Sequence, residues 1–275
     1  MLTGETLLFP LLADPIRHVK ASAIFQPVFE AKGLDWLLFP LNVRQPNFEA
    51  AFAQLKLYGN VGGCVISVPF KARAARLCDR LGPLAQKGGV VNTVRFAPDG
   101  TVEGEILDGV GLIRSAEESG IPLAGARILM LGAGGAASAI AHALADGGIG
   151  TLTITNRSPG KAQFLVATVR SHRPEYEIET GVFDPGRHTV VINATSVGIE
   201  PDDAPPMDVA QLNPSIGVID IVVPDTALRR AAQARGCTAI GGRPMVAAQI
   251  DAQIALWQGQ VATTPNVLHR AKAAA

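Results

Sequence analysis

The stretch Ala126–Ser158, ARILMLGAGGAASAIAHALADGGIGTLTITNRS, decides how the rest of this chain is read. Ile128-Leu129-Met130-Leu131 is a continuous apolar run, as expected of a strand buried on both faces of a parallel sheet. It stops at Gly132-Ala133-Gly134-Gly135, and an Ala-rich helical pattern follows from Ala136 to Asp146. A second β-branched run, Thr151–Thr155, ends at Asn156-Arg157-Ser158. Strand, glycine turn, helix and strand within about 30 residues form the unit that holds a dinucleotide. Its glycines let the backbone approach a pyrophosphate, and the helix N-terminus offers free N–H groups and the positive end of a dipole. Gly132, Ala133, Gly134, Gly135 and Ala136 are therefore candidate cofactor-binding residues.

The end of the second strand in such a unit discriminates between the two nicotinamide dinucleotides. A carboxylate there accepts from a ribose 2′-hydroxyl, whereas an Arg pairs with a 2′-phosphate. Here the strand runs into Asn156, Arg157 and Ser158, with Lys161 one turn further on and no acid between them. The pattern predicts NADP, with NAD as the alternative, because a guanidinium forks onto a phosphate and a carboxylate repels it.

Working outward, the 275 residues suit one large or two smaller domains. Basic and acidic residues balance at 24 each, which argues against nucleic acid or an anionic membrane as the main partner. Cys64, Cys78 and Cys237 form no CxxC pair and are expected to be reduced thiols in a cytoplasmic protein. The five histidines, 18, 142, 172, 188 and 269, lack ligand spacing, so no metal site is expected. No signal peptide pattern and no apolar run of transmembrane length is seen.

N-terminal to the dinucleotide unit, apolar runs predict strands over 6–12 (broken by Pro10), 35–42, 63–69, 90–96 and 102–106. Helices are expected over 21–32, 48–58 and 70–81. Asp108 is placed as the N-cap of a following helix. Beyond the unit, helices are expected over 158–170, 226–235 and 245–257, with strands over 176–180, 190–195, 217–223 and 238–241. The expected fold class is α/β: an N-terminal α/β domain over 1–107, a Rossmann domain over 108–242, and a C-terminal helix (about 243–275) returning to the first domain.

Several pieces in this order resemble the shikimate/quinate dehydrogenase family. They are Asp14-Pro-Ile-Arg-His18, Ser67-Val-Pro-Phe-Lys71, Val91-Asn-Thr93, Gly104–Gly109 (GEILDG), Gly132–Gly135, Asn156-Arg-Ser158, Asn193-Ala-Thr-Ser196 and Gln249. The resemblance spans about Leu7 to Trp257. It implies a substrate domain and a Rossmann domain with a cleft between them, and NADPH-dependent reversible reduction of a ring ketone on a hydroxylated cyclohexene carboxylate. It assigns Lys71 and Asp108 as the catalytic pair and Ser67, Asn92 and Gln249 to the substrate. Thr195, Ile221 and Gly242 join the cofactor residues. The partner is a small molecule, and a monomer or homodimer is expected. The chemistry suits that pair: hydride addition to a carbonyl creates an alkoxide that an ammonium stabilises and protonates.

The chain departs from the family pattern at substrate positions. The two serines of the first loop correspond to Val19 and Ala21, the Asn of NVTVPFK is Val65, and GDNTDG has become GEILDG with Ile106 and Leu107. A lost bond to a charged group costs about 1.5–3 kcal/mol. The expectation is hydride chemistry retained with the substrate shifted toward a less polar or differently placed acid. A non-catalytic NADP-binding protein and a methylene-tetrahydrofolate dehydrogenase-like enzyme are the competing readings; retention of Lys71 and Asp108 speaks against the first.

Overall fold

The computed structural model describes residues 2–17 and 21–260. The chain divides into two compact units, one running to Leu107 and resuming at Gln249, the other from Asp108 to Ala248.

The first unit opens with β1 (Leu7–Ala13), α1 (Ser22–Ala31) and β2 (Trp36–Asn42). A 3-10 turn at Gln45–Asn47 leads into α2 (Phe48–Leu55). Then follow β3 (Gly63–Ile66), α3 (Lys71–Ala75), β4 (Arg80–Leu81), α4 (Pro83–Gly88), β5 (Thr93–Phe96) and β6 (Val102–Glu105). Its sheet has the order β2-β1-β3-β5-β6-β4. β1 runs parallel to both its neighbours, and β5 is antiparallel to β3 and β6. An aromatic cluster holds this unit together: Phe9 lies 4.2 Å from Trp257 and 4.8 Å from Trp36 between ring centroids, with Phe25 and Phe29 beside them.

The second unit contains α5 (Asp108–Glu118), β7 (Arg127–Leu131), α6 (Gly135–Gly147), β8 (Thr151–Thr155), α7 (Pro159–His172), β9 (Ile178–Thr180), β10 (Val190–Asn193), β11 (Gly217–Asp220), α8 (Ala227–Ala234) and β12 (Ala239–Ile240). The last helix, α9 (Gly242–Trp257), starts here. Every strand pair is parallel, in the order β12-β11-β10-β7-β8-β9. This is the doubly wound arrangement, whose strand order reverses between β7 and β10, and ligands bind at the carboxyl ends of the strands at that reversal. Ile128–Leu131 of β7 and the whole of β10 are buried, which explains the apolar runs Ile128–Leu131 and Val190–Ile192.

Four expectations are corrected. Pro10 does not break β1: it falls in the gap between the isolated Leu8–Val61 bridge and the regular β1–β3 ladder that starts at Leu11–Val65. The register slips by one residue there, so β3 has no ladder bond for the missing N–H to interrupt. The helix expected over 70–81 ends at Ala75, because Asp79 and Val102 exchange hydrogen bonds of 2.8 Å and draw Arg80–Leu81 into the sheet. The strands expected to reach 195 and 223 stop at Asn193 and Asp220, whose side chains bond each other at 3.0 Å where the strands end. Asp108 is the first residue of α5, not the residue before it.

Two supporting features follow from buried polar groups. Glu105 Oε1 accepts from Ala85 N and Ile106 N, both at 2.8 Å, and so caps the short α4. His188 is buried against the Asp184 backbone, and desolvation lowers its pKa. The unfolded chain then binds the proton more readily, so this contribution to stability is complete above about pH 6.5 and is lost as pH falls through the folded-state value. His188→Gln should lessen the drop in thermal midpoint between about pH 6.5 and 5, read by circular dichroism; an unaltered slope would remove His188 as the cause.

Among the described residues no group of His, Cys, Asp or Glu is placed to hold a metal ion. The three cysteines are free, and among the described residues no helix is long and apolar enough to cross a membrane. His18 and His269 lie outside the described residues.

Candidate active site

In the first unit, Ser67 follows β3, Lys71 opens α3, Asn92 immediately precedes β5 and Gln249 lies on α9. Ser67 lies just past β3, where its N–H donates to Leu12 O at 2.9 Å and its carbonyl accepts from Phe70 N at 2.9 Å. Lys71 is half-buried at the start of α3, and its carbonyl accepts from Val91 N at 3.1 Å. That bond ties the lysine's backbone to the segment carrying Asn92.

α3 is itself clamped. Arg73 pairs with both carboxylate oxygens of Glu49, donates to Gln45 O at 2.7 Å, and lies over the rings of Phe48 and Phe70. Those rings stack at 4.3 Å. The bond to Arg73 lowers the pKa of Glu49, so the pair stays charged across the neutral range.

Asn92 is buried and fully directed. Its Oδ1 accepts from Thr93 Oγ1 at 2.8 Å and from Leu107 N at 3.1 Å, and its Nδ2 donates to Gln249 Oε1 at 2.8 Å. Two amides 157 residues apart in sequence are therefore in direct contact.

The apolar departures from the family pattern have a different meaning in three dimensions. Ile106 and Leu107 are 0% and 1% exposed, and Val65 and Ala21 are also buried. Ile106 and Leu107 belong to the core, so their sequence change bears on packing and not on the polarity of an exposed pocket wall. Val19, with Lys20, lies outside the described residues.

The second unit holds the cofactor-binding candidates. Gly132 ends β7 with φ +114°, and a Cβ there would sit 2.7 Å from Ala194 O and 2.9 Å from Ala194 C. Only glycine allows β7 and the segment after β10 to approach this closely. Gly134 is different: it is exposed, its φ of −91° suits any residue, and a Cβ would meet nothing within 4 Å. Gly134 immediately precedes α6, Gly135 and Ala136 form its first turn, and a glycine N-cap has no side chain to satisfy that turn's N–H groups. Open space over an uncapped helix N-terminus fits a pyrophosphate.

Asn156 Nδ2 donates to Ser158 O at 3.0 Å and shapes the turn after β8. Arg157, Ser158 and Lys161 are exposed there. Thr195 Oγ1 donates to Asn193 Oδ1 at 2.7 Å and accepts from Val197 N at 3.0 Å, so its hydroxyl shapes its own loop. A Cβ on Gly242 would lie 2.1 Å from Ile221 O, which makes Gly242 a packing glycine that lets α9 start against the end of β11. Asp108, buried at the head of α5, completes the assigned set. The following Gly109 packs against α6, where a Cβ would meet Ala143 Cβ at 2.3 Å.

Sequence reasoning missed a buried hub at the ends of β10 and β11. Asp220 is completely buried and accepts from Asn193 Nδ2, Val222 N and Thr226 Oγ1 at 3.0, 3.1 and 2.7 Å. Burial raises its pKa against these bonds. The hub joins the ends of β10 and β11 to Thr226, the N-cap of α8. An Asp closing an apolar strand six residues before a Thr was the available signal.

Comparison with known proteins agrees with this geometry. The model of the shikimate dehydrogenase substrate binding domain matches residues 11–94, and that of shikimate / quinate 5-dehydrogenase matches residues 114–227. Shikimate dehydrogenase (NADP(+)) of Acidiphilium cryptum is 34% identical over 276 residues, covering 100% of this chain and 98% of the relative. The crystal structure of shikimate 5-dehydrogenase from Thermus thermophilus in complex with NADP(H) and shikimate superposes with a TM-score of 0.81 at 27% identity, covering 98% and 100% of the two chains. The ligand-free 5-ketofructose reductase of Gluconobacter reaches the same TM-score of 0.81 at 27% identity, covering 99% and 100%. Matched over its whole length by a relative at 34% identity, and by both family models, this protein belongs to the shikimate/quinate dehydrogenase family, whose members are oxidoreductases acting on CH–OH groups.

Proposed function

We propose that the protein catalyses reversible hydride transfer between NADP(H) and a ring carbon of a hydroxylated cyclic carboxylic acid, in the manner of a shikimate dehydrogenase. The observation that carries this reading is the buried Asn92–Gln249 amide pair, whose Asn92 segment is tied to the backbone of Lys71. The Thermus relative holds NADP(H) and shikimate together on the same fold.

Gly134 and the first turn of α6 would hold the pyrophosphate of NADP(H), and Arg157, Ser158 and Lys161 its 2′-phosphate; when bound, the cofactor would supply or remove the hydride. Lys71 stabilises the alkoxide that forms as the ketone is reduced and gives up the proton to it; in the other direction it takes the proton from the alcohol. Asp108 accepts a hydrogen bond from a substrate hydroxyl. Asn92 and Gln249 direct the ring through their amides, and Ser67 adds a hydroxyl.

A second reading, a less acidic polyol ketone as substrate, is favoured by one observation. Ala21 carries a buried methyl where the family pattern has a carboxylate-binding serine, and 5-ketofructose reductase shares the fold. Steady-state assays of the purified protein with shikimate, quinate and 5-ketofructose, each with NADP(H) and NAD(H), separate the two. The first reading expects turnover of a cyclic acid, and reduction of 5-ketofructose alone would replace it with the second.

Arg157→Ala is expected to lower the preference for NADP+ over NAD+ by about 10–100-fold in kcat/KM, the loss of one charge-assisted contact to phosphate. An unchanged ratio would place the 2′-phosphate elsewhere.

A further inference from the structure

Three successive turns of α9 bond to three successive residues at the start of β5. Gln249 Oε1 accepts from Asn92 Nδ2 at 2.8 Å, Gln253 Nε2 donates to Thr93 Oγ1 at 3.0 Å, and Trp257 Nε1 donates to Val94 O at 3.0 Å. Gln249 and Gln253 are 4% and 1% exposed, so this polar stripe runs through the core of the first unit.

The direction of each bond is forced. Leu107 N–H can only donate, so the Asn92 atom facing it is Oδ1, and Nδ2 must face Gln249. Thr93 spends its single hydroxyl proton on Asn92 Oδ1 and therefore receives from Gln253 Nε2. The backbone N–H of Leu107 thus sets which way the Asn92 and Gln249 amides point, and Thr93, itself held by Gln253, holds the Asn92 oxygen in that orientation.

The relay leaves one buried oxygen unmatched. Gln253 Oε1 is buried with no hydrogen-bond partner among the described residues, and an apolar side chain of similar size would bury no unmatched oxygen. A buried amide kept on these terms is accounted for by orientation rather than by stability.

We infer that Thr93 and Gln253 are positioning residues that hold the amides of Asn92 and Gln249 in the orientation the substrate meets. This rests on the reading that Asn92 and Gln249 touch the substrate. Removing either link leaves Asn92 Oδ1 with a weaker hold, so the amide samples other rotamers and substrate binding weakens while the chemical step, carried elsewhere, changes less.

The test uses Thr93→Val, Thr93→Ser and Gln253→Met in the full chain, with Asn92→Ala as reference. Hydrogen exchange of the Asn92 and Gln249 side-chain NH2 groups, followed by 15N NMR, needs no substrate. It should accelerate at least about tenfold in Thr93→Val and Gln253→Met, and return toward wild type in Thr93→Ser, which keeps the hydroxyl. With shikimate and quinate as probes, KM should rise about 5–20-fold with kcat within about threefold, and the melting temperature of Gln253→Met should not fall. Unchanged side-chain exchange in both variants would overturn the inference, as would a loss of melting temperature in Gln253→Met with KM unmoved. If Asn92→Ala turns over as wild type while exchange responds as expected, the substrate-contact reading fails and the relay stands as an architectural lock only.

Discussion

Lys71→Ala should reduce kcat by about 10³-fold or more while leaving NADPH affinity within about twofold of wild type. The argument begins with the reaction: hydride arriving at a carbonyl carbon leaves negative charge on oxygen, and the barrier falls if a proton donor and a positive charge are already placed there. The start of α3 is where this chain offers one. Lys71 is half-buried, its backbone is tied to Val91, and the Arg73–Glu49 pair over the Phe48–Phe70 stack holds the helix in place. None of these contacts involves the glycine turn of the second unit, so cofactor binding should survive the substitution. NADPH fluorescence titration and steady-state turnover on the same preparation make the comparison. Retained turnover would exclude Lys71 as the acid/base, and loss of both properties would point to misfolding.

The second large effect separates two glycines only two residues apart. Gly132→Ala forces a side chain onto a φ of +114° and drives its Cβ to 2.7 Å from Ala194 O. The left-handed conformation alone costs about 1–2 kcal/mol and the overlap about 1–3 kcal/mol more. At about 2–4 °C per kcal/mol for a protein of this size, the melting temperature should fall by roughly 5–15 °C. Gly134→Ala meets neither obstacle, since its backbone suits alanine and its Cβ would enter open space. Its melting temperature should stay within about a degree, yet the methyl would stand where the pyrophosphate approaches α6, and the Kd for NADPH should rise about 10–100-fold, equivalent to about 1.4–2.8 kcal/mol. Gly134→Ala binding NADPH as tightly as wild type would remove the turn as the phosphate cradle.

The two glycines show how the same motif letter covers two physical jobs. GAGG in sequence announces a turn between strand and helix; the contact with Ala194 makes Gly132 obligatory, whereas the open space around Gly134 makes no such demand. Gly242 resolves the same way, its hydrogen standing where any larger group would strike Ile221 O. For Ile106 and Leu107, sequence comparison points to an altered substrate pocket, but burial assigns them to the core.

Local sequence alone determined the doubly wound domain, because strands buried on both faces are written as unbroken apolar runs and a glycine turn needs only adjacent residues. The expectation of a 2′-phosphate is likewise local, resting on Asn156, Arg157 and Lys161, which lie within six residues of one another. Tertiary structure decided the rest. The segment 70–81 has a helical period, but only Lys71–Ala75 is helical and its end, Arg80–Leu81, is captured as an edge strand beside Val102, and Pro10 is tolerated because β1 and β3 slip register beside it. Above all, it joined Asn92 to Gln249 and Thr93 to Gln253. A buried glutamine on a helix of mixed polarity reads like a solvated one until its partner, some 160 residues away, is brought within 3.0 Å. Hydrogen bonds between distant residues leave no period in the sequence; they exist only once the chain has closed around them.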